Sequence, residues 1–244
     1  DDRPLGVAAG LDLEMPTSNG KNDELIIEAV NNGSLSMKDL DKAVRNVLTL
    51  IQKAEDGYAP ATKWDKEKQH ELAGKIESEC AVLLKNDDKI LPLDKSAKIA
   101  FIGEFADKPR YQGGGSSHIN SFKVTSALEA VKGMDNITYA QGFVTDRDET
   151  VDEFLDEAVE LAKNSDVAVI FAGLPESFES EGFDRKHMRM PDCQLKLIDE
   201  VARVNENVVI VLHNRSAVEM PFADKVKGIL EMYLGGQNIG TAEK

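Results

Sequence analysis

Residues 178–185 read Phe178, Glu179, Ser180, Glu181, Gly182, Phe183, Asp184, Arg185, which sets acid, glycine and base side by side in one short stretch. Carboxylates this close can divide the work of proton donor and proton acceptor, because a neighbouring like charge pushes one of them toward its protonated form. That chemistry suits a polar substrate. A solvated, salt-bridged surface loop has the same composition, and the local sequence leaves both readings standing. A second candidate is Arg110, Tyr111, Gln112, Gly113, Gly114, Gly115, Ser116, Ser117, His118. Glycines let a backbone approach a ligand closely, and the hydroxyls and imidazole that follow can bond a polar ligand; alternatively, Ser116 and Ser117 cap the next segment. A phosphate-binding loop is the rival for this stretch. It fails on pattern: Gly103 is followed by Glu104, neither G-x-G-x-x-G nor G-x-x-x-x-G-K-[ST] is present, and the glycines lie well downstream of the strand.

Both stretches need a scaffold, and the chain offers one. Four apolar runs, residues 98–103, 166–173, 207–212 and 228–234, alternate with helical patterns at 124–132, 151–163 and 191–204. That alternation predicts an α/β fold with a mainly parallel sheet and helices on both faces. In open α/β sheets the working residues lie in loops outside the carboxyl ends of strands, which is where 178–185 falls relative to the 166–173 run. Upstream, residues 23–31 read as a short helix capped by Asp23 and closed by Gly33. Ser36 and Asp39 then form an S-x-x-D capping arrangement before Leu40, Ala43, Val44, Val47, Leu48 and Ile51, which recur at helical spacing and predict a buried face. Periodicity lapses at 57–63, the best candidate for an interdomain linker. A helix near 66–84 is expected to carry Leu72, Ile76, Cys80 and Leu83 on one side.

Composition narrows the classes. At 244 residues with 41% hydrophobic and 30% charged content the chain is globular, and no window approaches the roughly 20 continuous apolar residues of a membrane helix. A net charge of −15 without a basic patch argues against nucleic acid. An uncharged partner such as a sugar fits better. Cys80 and Cys193 both sit in helical apolar patterns and read as buried thiols rather than a disulfide or metal site. His70, His118, His187 and His213 show no metal-ligand spacing, so neither a metal nor a cofactor is expected. The chain opens Asp-Asp-Arg-Pro without a methionine and reads as a fragment or processed product; a signal peptide in the parent stays open, and low cysteine use leans toward the cytoplasm.

Five segments carry a resemblance in a fixed order: 10–16 (Gly10, Asp12, Met15, Pro16), 81–93 (Leu84, Lys85, Asn86, Pro92), 113–117, 179–185 and 235–237. Together they resemble glycoside hydrolase family 3, the β-glucosidase family. The resemblance implies a (β/α)8 barrel, a linker and an α/β sandwich. Residues 1–55 correspond to the last piece of the barrel, 56–71 to the linker, and 72–244 to most of the sandwich, incomplete at its C-terminus. It further implies retaining hydrolysis of terminal β-linked glucose, in which a carboxylate nucleophile forms a glycosyl-enzyme and a second carboxyl serves as acid and then base. In relatives a Ser-Asp-Trp segment with the nucleophile precedes the region matching Asp2 and Arg3. The nucleophile is therefore absent, neither Asp1 nor Asp2 replaces it, and the chain alone is expected to be inactive.

The family takes its acid/base from the sandwich, which implies Glu179 or Glu181, with Glu179 preferred because the proton donor is expected ahead of the Gly-x-Asp segment. Substrate contacts are expected from Arg110, Gly114, Ser116, Ser117, His118, Asp184 and Arg185, and from Arg3 and Met15 on the barrel side. Asp184 and Arg185 are expected to pair and orient the loop, or to form a plain surface ion pair. Asp12 reads as structural, and Trp64 as interdomain packing or a sugar platform. The implied partners are β-linked gluco-oligosaccharides or aryl β-glucosides and the missing barrel; xylose remains open as the sugar, and N-acetylglucosamine is disfavoured. A non-catalytic carbohydrate-binding or regulatory module is the competing class.

Overall fold

A computed structural model describes residues 2–59 and 63–244; the linker expectation falls partly on residues 60–62, outside the described residues. The chain divides into two compact units, Asp1–Trp64 and Asp65–Lys244.

The first unit holds helices α1 (Arg3–Ala8), α2 (Asp23–Asn31) and α3 (Met37–Asp56), and no strand among its described residues. Ser36 caps α3 as its sequence predicts: its hydroxyl accepts from the Asp39 amide at 3.1 Å and donates to Asp39 Oδ2 at 2.7 Å. Asp23 opens α2 rather than capping it; Asn22 holds the cap position and gives no side-chain bond. Asp12 accepts from Asn46 Nδ2 on α3 at 3.0 Å, which ties the loop after α1 to that helix. The buried α3 face expected from the apolar spacing is not found. Ala43 alone is buried, whereas Val44, Leu48 and Ile51 are about half exposed, because α1 and α2 supply too little surface to cover the stripe.

The second unit is a six-stranded mixed sheet with helices around it, an α/β sandwich. Its strands are β1 (Val82–Asn86), β2 (Ile99–Ile102), β3 (Ile137–Ala140), β4 (Val167–Gly173), β5 (Val208–His213) and β6 (Gly228–Glu231), in the order β1-β6-β5-β4-β2-β3. All neighbours are parallel except β1 with β6. Every residue of β4 and β5 is buried, the expected state of central parallel strands whose sequences are apolar runs, broken only by His213 at the end of β5. Helices α6 (Asp152–Lys163) and α7 (Asp192–Val204) pack on each other and against the sheet, while α4 (Lys66–Cys80) and α5 (Ala127–Ala130) pack on α8 (Ile239–Glu243).

Two expectations for α4 are corrected. The helix stops at Cys80, and Leu83 belongs to edge strand β1. Its buried side carries His70, Gly74 and Glu77, whereas Leu72, Ile76 and Cys80 are exposed. Cys193 is buried as expected. β6 ends at Glu231 because the chain turns sharply at Tyr233, whose positive φ is held by a bond from its amide to Glu231 Oε1 at 2.9 Å.

This topology creates the crevice. From β2 the chain winds outward to β3, then crosses back to β4 on the other side of β2 and continues to β5. The loops after β2 and β4 therefore diverge at their carboxyl ends, the place where open α/β sheets hold ligands.

Candidate active site

The loop after β2 carries the three glycines, the loop after β4 carries the two glutamates, and the loop after β5 carries Arg215. An open cleft of about 540 Å³ joins them, lined by Gly114, Ser116, Ser117, Glu181, Phe183, Asp184 and Arg215, with Ser180 and Gly182.

Gly114 and Gly115 make that meeting possible. A Cβ on Gly114 would fall 2.5 Å from Glu176 Oε1 and 2.6 Å from Ser180 Oγ; one on Gly115 would fall 2.5 Å from Glu181 Cβ. Gly115 also has φ +85°, a conformation side chains rarely adopt. The close approach that the glycines permit is thus to the glutamate loop. Ser116 completes the junction: its amide donates to Glu181 Oε2 at 2.6 Å, and its hydroxyl bonds the same oxygen. These two bonds, with a smaller contribution from the Arg215 charge, hold the Glu181 carboxyl below its ordinary titration range. Among the described residues Glu181 Oε1 takes no such bond, and the Glu181 side chain lines the cleft.

Glu179 is placed quite differently. It is 3% exposed, and both carboxylate oxygens are occupied by the loop after β5: Oε2 accepts from the Arg215 amide at 2.8 Å and Oε1 from the Ser216 hydroxyl at 2.5 Å. Its carbonyl accepts from Arg110 Nη2 at 2.8 Å, so Arg110 is a buried strut beneath the cleft and does not line it. Burial lowers the Arg110 pKa from its ordinary value.

Arg185 is expected to pair with Asp184. Instead its Nη1 donates to Ser216 Oγ at 2.7 Å and to the Ala217 carbonyl at 2.8 Å, because the chain turning through Gly182 carries Arg185 back toward the loop after β5. Asp184 lines the cleft. His118 closes a 3₁₀ turn through its amide and leaves its ring exposed, outside the cleft lining. Arg3 and Met15 belong to the first unit, where Arg3 Nε pairs with Glu14 at 2.7 Å and Met15 is 82% exposed. Trp64 is exposed.

Sequence reasoning singled out neither Phe183 nor Arg215 as a site residue. Phe183, half exposed beside Glu181, is an apolar wall in a polar cleft. Arg215 lies two residues beyond the end of β5, so the strand-end rule that located Glu179 and Glu181 also points to it.

A second polar cluster lies outside the cleft lining. His213 Nε2 meets Glu243 Oε1 at 2.6 Å with both side chains buried, Phe105 stacks on the His213 ring, and Asn214 Nδ2 donates to Glu231 at 3.1 Å. Glu77 joins them from α4, its pKa pushed up to about 7 by burial and by the Glu243 carboxylate.

Comparison with known proteins points to one family. The chain is 50% identical over 246 residues to thermostable beta-glucosidase B of Acetivibrio thermocellus, and 43% identical over 258 residues to an exo-alpha-(1->6)-L-arabinopyranosidase of Bifidobacterium longum. Each alignment covers 99% of this chain and 33% of the relative, so the chain spans about a third of the curated relatives it matches. The crystal structure of a Bifidobacterium adolescentis GH3 beta-glucosidase superposes with a TM-score of 0.90 at 43% identity, over 99% of this chain and 36% of that one. Residues 81–243 match the profile of the Glycosyl hydrolase family 3 C-terminal domain, and with these relatives the chain belongs to glycoside hydrolase family 3.

Proposed function

We propose that this chain supplies the acid/base carboxylate of a retaining β-glucosidase, and that the carboxylate is Glu181. The observation that carries the reading is the contrast between the two glutamates. Glu179 has both oxygens engaged inside the protein, whereas Glu181 lines the cleft with one oxygen anchored on Ser116 and the other unengaged. A general acid must bring a proton within hydrogen-bond reach of the leaving oxygen, which a sealed carboxylate cannot do. Geometry thus favours Glu181 over Glu179, the preference of the sequence alone.

In this reading Glu181 protonates the glycosidic oxygen as its bond to the anomeric carbon breaks. The nucleophilic carboxylate forms the glycosyl-enzyme from the opposite face, and Glu181, now ionised, takes a proton from the water that releases the sugar. Ser116, Ser117, Asp184 and Arg215 face the leaving group. Residues 1–55 are the end of the barrel and the linker ends before Lys66, because residues 66–71, read from the sequence as linker, lie in α4 of the second unit, the sandwich; the nucleophile comes from the remainder of the barrel, and the chain alone turns nothing over. Glucose is proposed because two of the similar proteins are named β-glucosidases.

The test is made in the full-length protein. Glu181→Ala should lower kcat/KM on phenyl β-glucoside by about 10²–10⁴-fold, with azide restoring turnover of an activated aryl glucoside as β-glucosyl azide. An unimpaired Glu181→Ala overturns the assignment. Equal kcat/KM for a β-D-glucoside and an α-L-arabinopyranoside would remove the preference for glucose.

A further inference from the structure

Glu179 and Arg185 bracket Glu181 in sequence, and both are fastened to the same short segment after β5. Ser216 is the common point: its hydroxyl donates to Glu179 Oε1 at 2.5 Å and accepts from Arg185 Nη1 at 2.7 Å. The Arg215 amide adds a second bond to Glu179 at 2.8 Å, and the Ala217 carbonyl a second to Arg185 at 2.8 Å. The loop carrying Glu181 is thus clamped on both sides of the carboxylate, while Ser116 holds the carboxylate itself from the loop after β2.

We propose that Glu179 is a positioning residue, a buried carboxylate that with Ser216 and Arg185 fixes the backbone around Glu181 so that its carboxyl meets the leaving oxygen. The inference rests on assigning proton transfer to Glu181. Two physical points support it. Residues 179 and 181 are separated by one residue, and a chain spans at most about 3.6 Å per residue, so movement of Glu179 reaches Glu181 with little slack. Moreover, a buried carboxylate costs free energy unless its oxygens are filled, and here a backbone amide and a hydroxyl fill them; neither can be exchanged without moving the loop. The arrangement also gives Arg215 its place in the cleft, since the bond from its amide to Glu179 sets where the segment leaves β5.

The experiment compares Glu179→Gln, Ser216→Ala and Glu181→Ala in the full-length protein on two substrates: phenyl β-glucoside, whose leaving group needs a proton, and 2,4-dinitrophenyl β-glucoside, whose leaving group does not. Because an ångström of misplacement costs on the order of 10²-fold, Glu179→Gln should lower kcat/KM on the phenyl glucoside by about 10–100-fold. On the dinitrophenyl glucoside it should stay within about threefold, with kcat there rescued by azide. Ser216→Ala keeps the carboxylate and removes one bond, and should show the same substrate dependence at smaller size; it carries the test should Glu179→Gln not fold. Equal losses on both substrates, or no loss on either, would overturn the inference. If Glu181→Ala itself shows no dependence on the leaving group, the underlying assignment fails instead, and the two failures are told apart.

Discussion

Glu77 should make the stability of the α/β unit fall as pH rises, by an amount that one substitution can isolate. Its side chain is 6% exposed on the inner side of α4, and Oε1 has no hydrogen-bond partner. Gly235 makes the room, since a Cβ there would stand 2.6 Å from the Glu77 carboxyl carbon. Burial first, then the Glu243 carboxylate from α8, raise the Glu77 pKa from 4.5 to about 7; His213 on β5 opposes this, and Glu231 on β6 adds to it. The folded value lies above the unfolded one, so the folded state holds a proton that the unfolded chain releases. Stability is therefore intact below pH 4.5, declines through the window from 4.5 to about 7, and has lost its full share above that. At about 1.4 kcal/mol per pH unit the loss is about 3 kcal/mol. Glutamine has the same shape and no charge to bury. Glu77→Gln should match the wild type at pH 4.5 and exceed it by about 3 kcal/mol at pH 8, a rise of about 6–12 °C in Tm. Urea unfolding followed by far-UV circular dichroism at several pH values measures the difference. A gap that stays constant across that range would refute the reasoning, because it would mean Glu77 does not change its protonation on folding.

Other substitutions test the site and its frame. Gly115→Ala places a Cβ against Glu181 at a residue with φ +85° and should cost about 1–2 kcal/mol from the backbone alone, read by urea unfolding; an unchanged midpoint would contradict the close packing of the two loops. Gly240→Ala sets a Cβ onto the Ser126 backbone where α8 meets α5, and should cost about 3 kcal/mol, with faster hydrogen exchange confined to the last residues if α8 lifts away. Ser116→Ala removes the larger of the two bonds holding Glu181 ionised and should move its titration upward, visible in the carboxyl carbon resonance; an unmoved resonance would deny Ser116 that role.

The central sheet was legible because β4 and β5 are apolar runs, which suit only strands buried on both faces. The edges were not. β3 has a mixed Ile-Thr-Tyr-Ala sequence of which only Ala140 is buried, too short and too polar to stand out. β1 follows α4 after Ala81 with no glycine or proline between, so Leu83 continued the helical spacing into a strand. α4 misled for another reason: its inner side is lined by His70, Gly74 and Glu77, which a periodicity of apolar residues reads as the outside. At the site, residue type located both loops, and the five-segment resemblance located the family. The choice between Glu179 and Glu181 lay beyond the sequence, because in an irregular loop a separation of two residues does not say which carboxylate faces the cleft. That depends on Ser116 and Ser216, which lie on other loops.

The electrostatics of the cleft bear on how Glu181 could serve first as acid and then as base. A donor must be protonated when substrate arrives, yet the Ser116 amide and hydroxyl and the Arg215 charge all favour the ionised carboxylate. The chain by itself thus favours an ionised Glu181, the state that a base requires. On the proposed function, the acid role needs a second negative charge nearby, and a retaining site supplies one: the nucleophilic carboxylate stands about 5 Å away and raises the partner by like-charge repulsion. Once the nucleophile is esterified by the sugar its charge is gone, and Glu181 returns to the low value that Ser116 imposes, the state required to accept a proton from water. The prediction is that replacing the nucleophilic aspartate of the full-length protein with asparagine lowers the Glu181 titration to the value measured in this chain alone, followed by carboxyl carbon NMR in both. If Glu181 titrates equally in the full-length protein with and without the nucleophile's charge, the switch between acid and base has another source.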